Sequence, residues 1–149
     1  MMRAAIMAIG LALGACAPAQ EAKKDAPMES RLPAPTPQDV SVRIGAGQAG
    51  QRIEVALNRR FAVELVGVPT AGYVWAPAQM PAFVTRAGEA GGNTAPEQSQ
   101  PGYTGGSHWE VLMFVATAPG EGELVLEQRR PWETSEPPTN VFRVTVVAR

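Results

Sequence analysis

Ile53-Glu54-Val55-Ala56-Leu57-Asn58-Arg59-Arg60-Phe61-Ala62-Val63-Glu64-Leu65 holds two alternating runs around a polar tripeptide. Successive side chains of a strand point to opposite faces, so alternation marks a half-buried strand. Ile53, Val55 and Leu57 share one face against Glu54 and Ala56, and Phe61, Val63 and Leu65 share another with Glu64 outward. Upstream, Val40, Val42 and Ile44 repeat the pattern with Ser41 and Arg43 opposite, and Gly45-Ala46-Gly47 and Asn58-Arg59-Arg60 read as connections. Downstream come Tyr73-Val74-Trp75, a weaker strand around 83–86, and a Gly/Pro/Ser/Gln-rich stretch over about 88–106 that reads as a long loop. Residues 109–116 end apolar on both faces, as a central strand does. Pro119-Gly120-Glu121-Gly122 is a turn signal before Leu124, Val125 and Leu126, and Phe142, Val144 and Val146 form the last run. About seven or eight short strands with no amphipathic helix predict an all-β chain, an immunoglobulin-like β-sandwich. A small closed barrel is the competing architecture.

The 149 residues suffice for one domain with a hydrophobic core and are too few for two. Thirteen basic and 14 acidic residues leave a net charge of −1, which gives no electrostatic footprint for nucleic acid. Arg3 precedes an apolar or small stretch over 4–15 that is shorter than the roughly 20 residues a bilayer span needs. The stretch ends in Leu13-Gly14-Ala15-Cys16, which holds the only cysteine. Small residues followed by cysteine resemble the lipobox of bacterial lipoproteins, whose cysteine is lipidated and becomes the mature N-terminus. The expectation is a signal peptide over 1–15, a lipidated Cys16 opening a disordered tether over 16–37, and a folded domain over 38–149. A plain signal peptide with an incidental cysteine is the alternative. Pro18, Pro27, Pro33, Pro35 and Pro37 favour an extended, solvated tether. Ala17 is not the Asp associated with inner-membrane retention, so the expected location is across the inner membrane, anchored at the outer membrane or facing the periplasm.

Enzyme chemistry finds little support. His108, the sole histidine, lies on a predicted strand, and Cys16 is committed to the N-terminus. A hydrolytic triad needs nucleophile, base and orienting group to converge, and Ser107 beside His108 points to the opposite face. A zinc site draws on several His or Cys ligands, so no metal is expected. Gly45-Ala46-Gly47 lacks the strand–helix context of a phosphate cradle, and neither a cofactor nor a small-molecule substrate is expected. The sequence leaves a carboxylate pair open, but no spacing singles one out.

Three loop segments stand out instead. They are Val68-Pro69-Thr70-Ala71-Gly72 before Tyr73-Val74-Trp75, Gly102-Tyr103-Thr104-Gly105-Gly106 before Ser107-His108-Trp109, and Arg130-Pro131-Trp132-Glu133. Each alone reads as a turn. In this order, between strands, they resemble the chagasin family of cysteine-protease inhibitors, which carries Asn-Pro-Thr-Thr-Gly, Gly-x-Gly-Gly and Arg-Pro-Trp loops. Pro69, Thr70 and Gly72 match the first motif, with Val68 where the family often has Asn and Ala71 where it has Thr. Gly105 and Gly106 match the end of the second, whose first Gly is replaced by Tyr103 or supplied by Gly102 through an insertion. Arg130, Pro131 and Trp132 match the third throughout. The resemblance implies a non-enzymatic, reversible inhibitor with a papain-like cysteine protease as partner. Pro69, Thr70, Ala71, Gly72, Gly105, Gly106, Arg130, Pro131 and Trp132 would contact the protease, and the membrane would be reached only through the lipid. A non-inhibitory immunoglobulin-like envelope lipoprotein, structural or adhesive, is the rival reading, but it gives no reason for three such loops in this order.

Overall fold

A computed structural model describes residues 32–149. The expected signal segment, Cys16 and the first part of the expected tether lie outside the described residues. Among the described residues eight strands form: β1 (Val42–Gly45), β2 (Arg52–Val55), β3 (Arg60–Gly67), β4 (Val74–Gln79), β5 (Val84–Asn93), β6 (His108–Ala116), β7 (Gly120–Arg129) and β8 (Asn140–Ala148). One sheet has the order β1-β3-β6-β5 and the other β2-β8-β7-β4. The pairs β1/β3 and β2/β8 are parallel, and the remaining pairs are antiparallel. Both sheets are open, so the architecture is the immunoglobulin-like β-sandwich rather than a closed barrel.

The alternation predicted for Phe61, Val63 and Leu65 sets the packing. These side chains, with Ile44, Leu112 and Phe114, project from the first sheet onto Leu124, Leu126, Phe142, Val144 and Val146 of the second. Phe61 and Phe114 stack with centroids 5.6 Å apart and planes inclined by 28°. Burying each large apolar side chain contributes about 1.5–3 kcal/mol, which strands of this type need in the absence of a disulfide.

Several sequence expectations change. Val40 does not share a face with Val42 and Ile44: it sits in a second cluster with Ala62, Val111 and Met113 on the outer side of the first sheet. The chain turns at 38–39, where the Val40 N–H meets the Pro37 carbonyl, and bends again at Ser41, so β1 starts only at Val42. The outer cluster is covered from the N-terminal side. Ala34 packs on it, Leu32 N–H donates to the Thr94 carbonyl, the Trp109 indole N–H donates to the Leu32 carbonyl at 2.8 Å, and the Thr36 hydroxyl bonds Glu64. The packed chain thus begins at least six residues before the expected domain start at 38. Proline and alanine there fill a surface of alanines and glycines, which a solvated tether would leave open.

The weak strand expected at 83–86 runs on through the glycine-rich stretch to Asn93, so the long loop is confined to 94–107. Gly92 lies directly under the Pro35 ring and Gly91 faces the Trp109 carbonyl, so close approach rather than a turn accounts for these glycines. Gly120 and Gly122, read as part of a turn, are likewise inside β7, where a side chain on Gly120 would overlap the Phe83 ring.

Candidate functional site

Strand register brings the three loops to one end of the sandwich. In the first sheet Gly67 and Asn93 both lie opposite His108, so β3 ends, β5 ends and β6 begins side by side. In the second sheet Val74 lies opposite Arg129, and Asn140 opposite Gln128, so β4 begins, β7 ends and β8 begins there. The segment 68–73 crosses between the sheets at this end.

The first loop is one tight turn. Pro69–Ala71 form a single 3-10 turn closed by Ala71 N–H to the Val68 carbonyl and Gly72 N–H to the Pro69 carbonyl, at 3.0 and 2.9 Å. Val68 and Tyr73 bridge across its neck. Pro69 supplies a fixed φ at the first position, and Gly72 ends the turn at φ +85°, a left-handed conformation that favours glycine. Pro69, Thr70 and Ala71 are exposed, with Thr70 in the middle of the turn.

The third loop braces the first. Arg130 Nε donates to the Ala71 carbonyl at 3.0 Å, and its guanidinium lies 4.6 Å from the centroid of the Tyr73 ring. Arg130 also bonds Glu133 at 3.0 Å, and this bond raises the pKa of a guanidinium that is charged in any case. The Trp132 ring lies on Gly72 yet stays 68% exposed, the most open of the large apolar side chains described. Pro131 beside it is exposed. At the loop's base, Thr139 donates to the Gln128 carbonyl through both its N–H and its hydroxyl, and the Asn140 amide meets the buried Gln128 side chain at 2.7 Å.

Gln98 organises the second loop. Its Oε1 accepts from the N–H groups of Thr94 and Ala95 at 2.7 and 2.8 Å, and its Nε2 donates to the Ser107 carbonyl at 2.7 Å. Gly105 and Gly106 hold φ of +80° and +88°, and Gly106 sits against the Tyr103 ring and hydroxyl. Thr70 and Ala71 face Gln98, Tyr103, Thr104, Gly105 and His108 across a cleft of about 620 Å³. His108 begins β6, on a strand as the sequence predicts, and its Nδ1 lies 3.3 Å from the Gly106 carbonyl. Among the described residues no cluster of three or more His, Cys, Asp or Glu is placed to hold a metal ion.

The family model described as Chagasin family peptidase inhibitor I42 matches residues 54–146. The chain belongs to the chagasin family. Members of that family are peptidase inhibitors, not enzymes. The crystal structure of the cysteine protease inhibitor EhICP2 from Entamoeba histolytica superimposes with a TM-score of 0.62 at 16% identity, covering 72% of this chain and 96% of that one. The solution structure of amebosin gives 0.56 at 24% identity, covering 72% and 97%. At these identities the likeness establishes the shared fold. Comparison with curated proteins gave no match.

Within this chagasin-family domain the nine loop residues singled out from the sequence lie at one end. Arg130 and Trp132 touch the first loop directly, and Gly105 faces Ala71 across the cleft. Tyr73, Gln98 and Glu133 complete the arrangement and were not among the expected contact residues, although Glu133 closes the third loop segment read from the sequence. Tyr73 had a signal in its place between the first motif and Trp75, whereas Gln98 had none, because its partners meet only when the loop closes. Replacing Gly72 by alanine is expected to destabilise the protein by about 1–3 kcal/mol, since the new Cβ meets the Trp132 ring and φ is strained. Urea unfolding checks this, and an unchanged midpoint would mean that the turn relaxes without cost.

Proposed function

We propose that this chain is a reversible inhibitor of papain-like cysteine proteases, whose three loops together occlude the protease's active-site cleft. The observation that carries the reading is the single exposed edge on which Trp132 lies over Gly72 beside the Thr70 turn. Membership of a peptidase-inhibitor family supports it.

The edge is built before any partner arrives. Arg130 fastens the third loop to the first through Ala71, Tyr73 and Glu133, and Gln98 closes the second, so little ordering entropy is left to lose on binding. Thr70 enters the cleft in a curled segment whose following N–H groups are already bonded within the loop. Such a segment presents a hydroxyl and backbone atoms without an extended, aligned scissile bond, so occlusion proceeds without a covalent step. Trp132 supplies an amphipathic anchor of the kind that dominates interfaces. Hydrogen exchange on a complex with papain tests the placement. Protection concentrated at 69–72, 105–106 and 130–133 is expected, whereas protection confined to the opposite end would refute it.

Residues 1–15 are proposed as a signal peptide and Cys16 as a lipid anchor, holding the inhibitor at the outer membrane or facing the periplasm. The support is Leu13-Gly14-Ala15-Cys16 at the end of the apolar stretch over 4–15. Mass spectrometry of the N-terminal peptide from bacterial membranes should find Cys16 acylated; an unmodified Cys16 in a secreted product would exclude the anchor.

A further inference from the structure

Glu110 is a carboxylate turned toward the interior of the sandwich. It lies two residues before Leu112 on β6, on the side that faces the core. Its Oε2 accepts the Trp75 N–H at 2.8 Å. Trp75 belongs to an edge strand, so this N–H points away from its own sheet and would otherwise lack a ladder partner. The Oε1 is buried with no hydrogen-bond partner, pressed against Gly67 so closely that any Cβ there would overlap it. Gly67 ends β3 and Trp75 is the second residue of β4, so the two are the legs of the first loop. The Trp75 indole closes the same neck by donating to the Val66 carbonyl at 3.0 Å.

We infer that Glu110 is the positioning residue of the first loop, bonded to the Trp75 leg and packed against the Gly67 leg, and so setting where Thr70 is presented. Gly67 is explained by the same contact: only glycine leaves room for the carboxylate between β3 and β4. The consequence for inhibition rests on the inhibitor reading above, whereas the hold on the loop does not.

The surroundings make this grip sensitive to protonation. Glu110 lines a cleft of about 730 Å³ together with Arg86 and Glu89 of β5 and His108 of its own strand. Arg86 is paired with Glu89 at 2.9 Å, and β4 brings no titratable group. Burial raises the Glu110 pKa above its ordinary 4.5, the Trp75 N–H opposes that rise, and the negative charge of Glu89 adds to it. An acid whose pKa is raised on folding binds its proton more tightly in the folded chain. Stability is therefore lower at neutral pH and is gained as pH falls through the folded pKa, with no further change below 4.5.

The test uses the full chain as wild type, Glu110→Gln and Glu110→Ala. Glutamine keeps an oxygen for the Trp75 N–H, and alanine leaves it unpaired. Hydrogen exchange at the amides of Ala71, Gly72, Tyr73 and Trp75 should quicken roughly tenfold or more in Glu110→Ala and stay near wild type in Glu110→Gln. Inhibition of papain should follow the same order. Slow exchange at these amides in a folded Glu110→Ala protein would overturn the inference. Should that variant fail to fold, the melting temperatures of wild type and Glu110→Gln decide. The wild type should gain on the glutamine variant between about pH 7 and pH 4.5, and parallel profiles would overturn the inference. A wild type that does not inhibit, with exchange changing as expected, would refute the inhibitor reading and leave the positioning role standing.

Discussion

Trp132→Ala is expected to weaken binding to papain about thirtyfold or more, the equivalent of about 2 kcal/mol, while the melting temperature barely moves. The expectation follows from where the ring lies. At 68% exposure it contributes little to the folded state, so its removal costs little there. Its underside rests on Gly72, which ends the turn that carries Thr70 at the proposed contact edge. A partner closing over that edge would bury an aromatic surface already held in place, the arrangement in which a single residue dominates an interface. Comparing inhibition constants and melting curves of the two proteins separates the possibilities. Equal losses of affinity and stability would make Trp132 a structural residue, and no loss of either would remove it from the interface.

Phe114→Ala should do the reverse, lowering stability by about 3–5 kcal/mol. Phe114 is fully buried on β6, a central strand, and stacks on Phe61 at 5.6 Å. Removing the ring leaves a cavity between two sheets whose backbones are held by their ladders and cannot close over it. Urea unfolding measures the loss, and the fraction that stays folded should inhibit with an unchanged constant. A loss below about 1 kcal/mol would mean that the sheets repack, contrary to the core described here.

These two residues also mark what the sequence made legible. Phe61, Val63 and Leu65 announced their face by alternation because one side of that strand meets the core. The same alternation concealed that the opposite face is covered, since Ala62 is also buried and its cover comes from residues 34 and 40. Proline-rich sequence there looked like tether, and glycine-rich sequence at 88–93 looked like loop. Each is shaped for the other: Pro35 lies on Gly92, a pairing across 57 positions that no local pattern encodes. The site shows the same division. Pro69, Thr70, Gly72, Arg130 and Trp132 were readable as motifs, because turns and exposed aromatics carry local signatures. Arg130's contacts with Ala71 and Tyr73, the closure of the second loop by Gln98 and the grip of Glu110 on Gly67 and Trp75 exist only after folding.

The central claim is that this edge closes a papain-like active site. Steady-state titration of papain with the purified full chain tests it most directly, followed by dilution of the mixture and analysis of the chain for cleavage. The account predicts tight inhibition, recovery of activity on dilution and an intact inhibitor. Full papain activity with the folded chain present at micromolar concentration would contradict it.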